Sequence, residues 1–501
     1  MPPRKGSQKV KTGCRTCKAR KVKCDERKPS CDRCTATGRR CGGYEPVTVE
    51  QGLSWYRPRQ LTAHDEREGR AFHFFSRVVG PVLSGSMDSY FWTHLVMQFS
   101  HFEPAVRHAV IAISALYEDF QRGARVMRRQ CGNVFAINNY NAAIQRIKST
   151  QDEQLILLVC ILFICVEYLQ GEAVAAVRHC QHGMIILNRA RSSSWAREHL
   201  LPIFLRLGFL PFFGGSKLIA GPGLLGLDTP GIMRFDNISQ AQISLDKLMA
   251  QAQALRQTGD ELQRDDLEAS LQQWRACAID LDDAFPSLPV PGKLALIYMW
   301  MKYEMTTICA HMALESDETK FDRHFDGFQA MVDWGSQASY LKNSLPPEIP
   351  RPSFTFELGF LPLVFFVVIR CRRLDIRLEA LSLLATLCVA KEGLFDVGTL
   401  YRVGQRVIEI EHDISLSCGG ITDKVAADTP LPPRERRVLD ALVDHELEVL
   451  TNMDGTTVYR RKVTFPMRDA AGRIFALEEY VTDQKSFQGL RIPNMRCAHP
   501  I

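Results

Sequence analysis

The chain has 501 residues, 46% of them apolar and 24% charged, with a formal net charge of +6. That apolar share is ordinary for a globular protein with a real core, and the length allows more than one domain. Residues 1–46 carry 14 Lys and Arg against 4 Asp and Glu, a net of +10; the rest carries 48 against 52, a net of −4, and is not built to bind nucleic acid.

The first 41 residues hold six cysteines, Cys14, Cys17, Cys24, Cys31, Cys34 and Cys41, spaced C-x2-C-x6-C-x6-C-x2-C-x6-C. Each half repeats Cys-x2-Cys-x6-Cys, and Pro29 lies in the stretch between the halves. Tetrahedral zinc takes four ligands and favours thiolate, and no histidine occurs before His64. Two zinc ions need eight metal–ligand bonds, which six sulfurs supply only when two of them bridge both metals. Six thiolates and two divalent cations leave about two negative charges for nearby basic residues to offset. So short a segment buries little apolar surface, so metal binding is expected to supply most of its folding free energy. A disulfide framework fits poorly with the polar, basic start MPPRKGSQKVKTG, which lacks the apolar run of a secretory signal. A single zinc site on Cys14, Cys17, Cys31 and Cys34 leaves the matching positions of Cys24 and Cys41 unexplained.

Between Cys17 and Cys24 lies Lys18-Ala19-Arg20-Lys21-Val22-Lys23, four of six residues cationic and favouring helix. A helix pinned at both ends and carrying Lys and Arg suits the major groove of B-DNA, where such side chains donate to guanine O6 and N7. A solvated charge run or a nuclear-import signal is the plainer reading of a basic cluster. The flanking metal ligands favour DNA.

Residues 14–41 resemble the Zn2Cys6 binuclear cluster of fungal transcription factors, in all six cysteines, the basic segment and the central proline. The resemblance implies Cys14 and Cys31 as bridging ligands, with Cys17, Cys24, Cys34 and Cys41 as terminal ones. It also implies that Lys21 reads a CGG-type triplet, with Arg20 beside it where many members have Lys, and that Lys18 and Lys23 face phosphates. The implied setting is the nucleus of a fungus.

Residues 47–66 read as a linker: Pro58 interrupts them and no heptad pattern supports a coiled coil. Helical spacing then dominates over 69–79 and 87–100, and Glu103-Pro104 opens a helix running to Phe120. Further helices are expected over 136–149, 153–170, 172–190, 239–256, 258–284, 292–315, 355–393 with a break near Pro362, and 395–413. The stretches Gly69–Trp92 and His101–Phe120 resemble the regulatory region of one branch of the same fungal regulators. That resemblance implies an all-α regulatory domain over residues 67–430, receiving an effector, contacting coregulators or masking an activation segment.

Leu155–Val166 is the most apolar run, yet twelve residues are too few for a bilayer, and a buried core helix is expected rather than a membrane span. Gly221–Gly226 satisfies G-x-G-x-x-G, but Pro230 follows where a phosphate-facing helix should run, so it reads as a turn. His445-Glu446 lacks the second histidine of a zinc protease helix. The ten cysteines at 131, 160, 165, 180, 277, 309, 371, 388, 418 and 497 are scattered and read as inert thiols in a reducing compartment. In residues 431–501, a helix over Arg434–Leu450 and a short hairpin from Thr457 onward are expected.

The fold class is thus a small binuclear cluster module (1–46), a linker (47–66) and a large all-α domain. The function expected is a zinc-dependent, sequence-specific DNA-binding regulator of RNA polymerase II transcription, not an enzyme, with two Zn2+ per chain. Its partners are double-stranded DNA with CGG-like triplets, coregulators and a second copy through the helical domain, with no membrane. The competing readings are a zinc-cluster scaffold without specific DNA recognition, and an enzyme that merely carries the module.

Overall fold

A computed structural model describes residues 13–43, 66–85, 89–122, 133–189, 193–207, 234–346, 352–416, 429–444, 448–451 and 457–482. The chain divides into two compact units, residues 1–58 and 59–501. In the first, two short helices, Arg15–Ala19 and Asp32–Thr35, each follow a cysteine in extended conformation, Cys14 and Cys31. The linker expected over 47–66 lies outside the described residues apart from Glu66, which opens the first helix of the second unit.

The second unit is mostly helical. Glu66–Phe74 continues through a π-helical turn, Phe75–Val79, into Gly80–Leu83, and a second π turn at Phe91–Leu95 leads into Val96–Ser100. Pro104 sits in the first turn of Pro104–Gln121, where its missing N–H costs nothing. Asp152 caps Glu153–Gln170, accepting from the Gln154 and Leu155 amides at 2.9 and 3.2 Å. Glycine in left-handed conformation at 171 ends that helix. Glu153–Gln170 is long and apolar enough to cross a membrane by length and composition, but its side chains from Leu157 to Leu169 are all buried among the surrounding helices. Helix Ala173–Arg189 packs on it, and Gly183 makes room for the Phe204 ring, which a Cβ there would meet at 2.3 Å. Helices Ile238–Thr258, Glu261–Ala278 and Val290–Met312 surround a second, smaller core in which Trp274 stacks on Tyr303 with ring centroids 5.2 Å apart.

Several expectations need correction. The helix expected over 258–284 ends at Ala278 and tightens into a 3-10 segment, Ile279–Ser287. The stretch 355–393 is two helices, Phe360–Arg370 and Leu374–Thr386, and the break falls at Cys371–Arg373. Pro362 does not break it, because it lies in the first turn, where no intrahelical donor is lost. Short strands flank this pair: Phe354–Thr355 runs parallel to Lys391–Glu392, which pairs antiparallel with Phe395–Asp396. Helices Ser194–His199, Leu201–Leu207 and Phe325–Asn343 were not expected from periodicity.

The tail departs furthest from expectation. Instead of a helix over 434–450, the described residues form a 3-10 turn at Arg434–Arg436 and strands Leu442–Val443 and Glu448–Thr451. Both strands pair antiparallel with Thr457–Arg468, whose other edge pairs with Ile474–Thr482, the expected hairpin. The reason is a buried ionic cluster. Arg372, Arg377 and Glu411 are almost wholly removed from solvent, with both guanidinium groups on the one carboxylate. Glu411 also accepts the Val438 amide at 2.7 Å, and Arg372 donates to the Val438 carbonyl at 3.1 Å. Arg437 forms a bidentate pair with Asp322 at 2.9 and 2.7 Å. The bonds to Glu411 and Arg372 take up the backbone of Val438, and the Leu439 amide donates to the Pro466 carbonyl at 2.8 Å, so a helix there would forfeit them.

Candidate metal centre and nucleic-acid interface

The six sulfurs converge. Cys14, Cys17, Cys31 and Cys34 are completely buried, while Cys24 and Cys41 are half-buried. Their sulfur atoms form two groups of four, Cys14, Cys17, Cys24 and Cys31, and Cys14, Cys31, Cys34 and Cys41, each with its sulfurs within 4.8 Å of one another. Cys14 and Cys31 belong to both groups, 3.6 Å apart. Within the groups, the separations Cys14–Cys34 and Cys17–Cys31 are 3.8 and 3.7 Å. Zinc at about 2.3 Å from four tetrahedral sulfurs would space them by about 3.8 Å, so the donor set fits the ion. Burial pushes the Cys14 thiol up to about 12 and the Cys31 thiol upward as well. Thiols so desolvated stay neutral without a counter-charge, and a coordinated divalent cation is what would ionise them.

Local folding explains the convergence. Cys14 and Cys31 precede the first turn of their helices, and Cys17 and Cys34 lie three residues on, so one helical turn brings each pair together. The Cys14 sulfur accepts the Cys17 amide at 3.4 Å, as an N-cap side chain does. Two side chains that the sequence reading passed over fasten the loops. Asp25 accepts the Asp32 and Arg33 amides at 2.8 and 3.2 Å, capping the second helix from the loop after Cys24. Thr16 donates to the Arg40 carbonyl at 3.2 Å and accepts the Gly42 amide at 2.8 Å, and the Arg15 amide donates to the Gly43 carbonyl at 2.9 Å. These bonds lie seven or more residues apart in sequence, so no local pattern announces them.

The basic segment differs from expectation in one respect. The helix does not reach from Cys17 to Cys24; it stops at Ala19, with Arg20 as its C-cap. Lys21 follows in left-handed conformation at φ +54°, and the chain to Cys24 is non-helical. Lys18, Arg20, Lys21 and Lys23 are all exposed, and the Arg20 guanidinium reaches the Thr37 hydroxyl at 3.5 Å. Val22 packs against the sulfurs.

Among the described residues no other cluster of three or more His, Cys, Asp or Glu side chains has a geometry suited to a metal ion. Cys160, Cys165, Cys180, Cys277, Cys309 and Cys371 are buried and Cys388 is half-buried. Cys131, Cys418, Cys497, His445 and the Gly221–Gly226 turn lie outside the described residues.

Residues 12–49 match the fungal Zn(2)-Cys(6) binuclear cluster domain. The chain carries the binuclear zinc cluster domain of fungal Zn2Cys6 transcription factors. It is 27% identical over 428 residues to the aspercryptin biosynthesis cluster-specific transcription regulator atnN of Emericella nidulans, covering 71% of this chain and 68% of that one. It is 27% identical over 212 residues to the transcription regulator lscL of Purpureocillium lilacinum, covering 36% of this chain and only 51% of its relative's length. The arginine metabolism regulation protein II of Saccharomyces cerevisiae is 46% identical over 60 residues, 12% of this chain and 6% of that one. The first alignment extends far past the cluster, so the likeness to Zn2Cys6 regulators includes part of the helical unit. No solved structure matches. The domain match and the six convergent cysteines support zinc binding, and the likeness to transcription regulators supports DNA binding.

Proposed function

We propose that the chain is a nuclear regulator of RNA polymerase II transcription that recognises CGG-like triplets through an N-terminal module holding two zinc ions. Cys14 and Cys31 bridge the metals, Cys17 and Cys24 complete one site, and Cys34 and Cys41 complete the other. The observation that carries this reading is the membership of Cys14 and Cys31 in both four-sulfur groups, which a single four-cysteine site would not require. Lys21 and Arg20 donate to base edges, and Lys18 and Lys23 contact phosphates, supported by the exposure of all four beside the cluster. Residues 67–430 act as the regulatory domain and are the surface for coregulators and for a second copy of the chain. The chain performs no catalysis of its own in this reading.

Binding-site selection with the full chain, run in parallel on Lys21→Ala, tests the proposal. The wild type is expected to enrich CGG-like triplets with two zincs per chain, and the variant to keep both zincs while losing the enrichment. Random recovery by the wild type with zinc intact would leave the scaffold reading, and one zinc per chain would favour the four-cysteine site.

A further inference from the structure

The two halves of the module repeat each other in backbone as well as in cysteine spacing. Four residues after Cys17 stands Lys21 at φ +54°, and four after Cys34 stands Gly38 at φ +64°. The turn hydrogen bonds coincide. The Lys21 amide donates to the Lys18 carbonyl at 3.1 Å and the Gly38 amide to Thr35 at 3.0 Å; the next residues, Val22 and Arg39, donate to the carbonyls of Cys17 and Cys34 at 3.1 and 3.0 Å.

With the turn shape held constant, the side chains show where the halves diverge. A left-handed backbone crowds a Cβ, so glycine is the default there, and the second half follows that rule at Gly38. The first half keeps a lysine. A residue in so disfavoured a region persists only where its surroundings over-determine the backbone, and such positions concentrate at functional sites. Here the constraint has a visible source, since Val22 is half-buried against the sulfurs, whereas Arg39 at the matching position is exposed. The exposed cations Lys21 and Lys23 stand directly on either side of Val22.

We propose that Val22 is the positioning residue of the DNA-reading loop: its packing on the sulfurs holds the left-handed turn at Lys21, so that Lys21 and Lys23 are set before DNA arrives. The inference rests on the DNA-binding reading above and adds to it a preset loop governed by an apolar side chain that makes no DNA contact. Fixing a loop in advance removes the ordering cost that a floppy basic segment would meet on binding. The second half, with Thr35, Thr37 and Gly38 in place of Lys18, Arg20 and Lys21, retains the turn without the reader.

The test uses the full-length, zinc-loaded chain with Val22→Ala and Val22→Ile, and measures zinc per chain, backbone amide exchange without DNA, and affinity for the selected duplex and a scrambled one. Val22→Ala is expected to keep both zincs and its affinity for scrambled DNA. The Lys21 and Val22 amides should exchange faster, and affinity for the selected duplex should drop by about tenfold. Val22→Ile should restore specific affinity. Lys21→Gly should keep zinc and slow exchange at the turn, yet lose specific affinity. An unchanged ratio of specific to scrambled binding in Val22→Ala overturns the positioning role, as does loss of zinc together with both affinities, which would make Val22 merely structural. A wild-type chain with no preference among duplexes sinks the DNA-reading itself and the positioning role with it; faster exchange alone in Val22→Ala cannot rescue either.

Discussion

The cluster module and the helical unit are held together by opposite means. In the module, four completely buried side chains are cysteines, and among the described residues Val22 is the one aliphatic side chain packed on them. In the helical unit, the Glu153–Gln170 and Phe360–Arg370 helices are wrapped almost entirely in aliphatic and aromatic neighbours. Apolar burial contributes about 25 cal/mol per Å2, which the large unit accumulates over hundreds of residues and the module cannot. Short metal-held modules depend on ligand binding for their fold, and long core-held ones on area. The same contrast governs charge. The module keeps its cations in water beside the sulfurs, while the helical unit buries Arg372 and Arg377 against the single carboxylate of Glu411.

The largest expected effect comes from removing zinc. Chelation of the full chain should unfold residues 14–41 and leave the helical unit folded, since binding free energies of structural zinc run to about 10–16 kcal/mol in small modules. Hydrogen exchange resolved by segment checks this. Protection lost in both units together would break the comparison.

Next is the buried ionic cluster. Arg377→Met leaves Glu411 with one guanidinium and removes the bond from the Arg377 Nε to the Val368 carbonyl, at 2.8 Å. Breaking such a pair costs about 3–5 kcal/mol, so denaturant unfolding of the helical unit should move by that amount with zinc content unchanged. A shift under 1 kcal/mol would show that the cluster contributes little to holding the tail.

A similar magnitude attaches to Glu392, a buried carboxylate that accepts the Gly359 and Leu361 amides at 2.7 and 3.2 Å. Burial pushes it up to about 7, against the opposing pull of those amides. The folded chain therefore retains a proton that the unfolded chain releases near pH 4.5, and stability attributable to this group falls as pH rises from 4.5 to 7. The fall amounts to about 3 kcal/mol. Glu392→Gln preserves an acceptor for both amides and should flatten that part of the stability profile, read by thermal unfolding across pH. An unaltered profile would show that Glu392 is ionised throughout.

Much of this was legible before any coordinates. Cys-x2-Cys places two cysteines on one helical turn, and the doubled pattern pointed by counting to cysteines common to two groups, as Cys14 and Cys31 are. Proline at 104 and aspartate at 152 marked helix starts because their physics acts within a few residues. Pro362 misled because a proline breaks a helix only beyond the first turn, and helix Phe360–Arg370 begins two residues before it. Residues 434–450 have helix-compatible composition, but intrinsic propensity is a weak prior and the amide of Val438 is already committed to Glu411. The helix through the basic segment was overcalled for a related reason: its residues favour helix, but the chain must turn after Ala19 to bring Cys24 back to the other sulfurs.

The sequence by itself determined the metal-binding module, its basic character and the dominance of helix beyond it, because ligand chemistry, charge and local periodicity act through near neighbours in the chain. Only the tertiary structure decided where Lys21 sits, which arginines are buried and how the tail is held. Those outcomes depend on groups such as Arg372, Glu411 and Val438, distant in sequence and joined by desolvated hydrogen bonds whose worth exists only once the chain has closed around them.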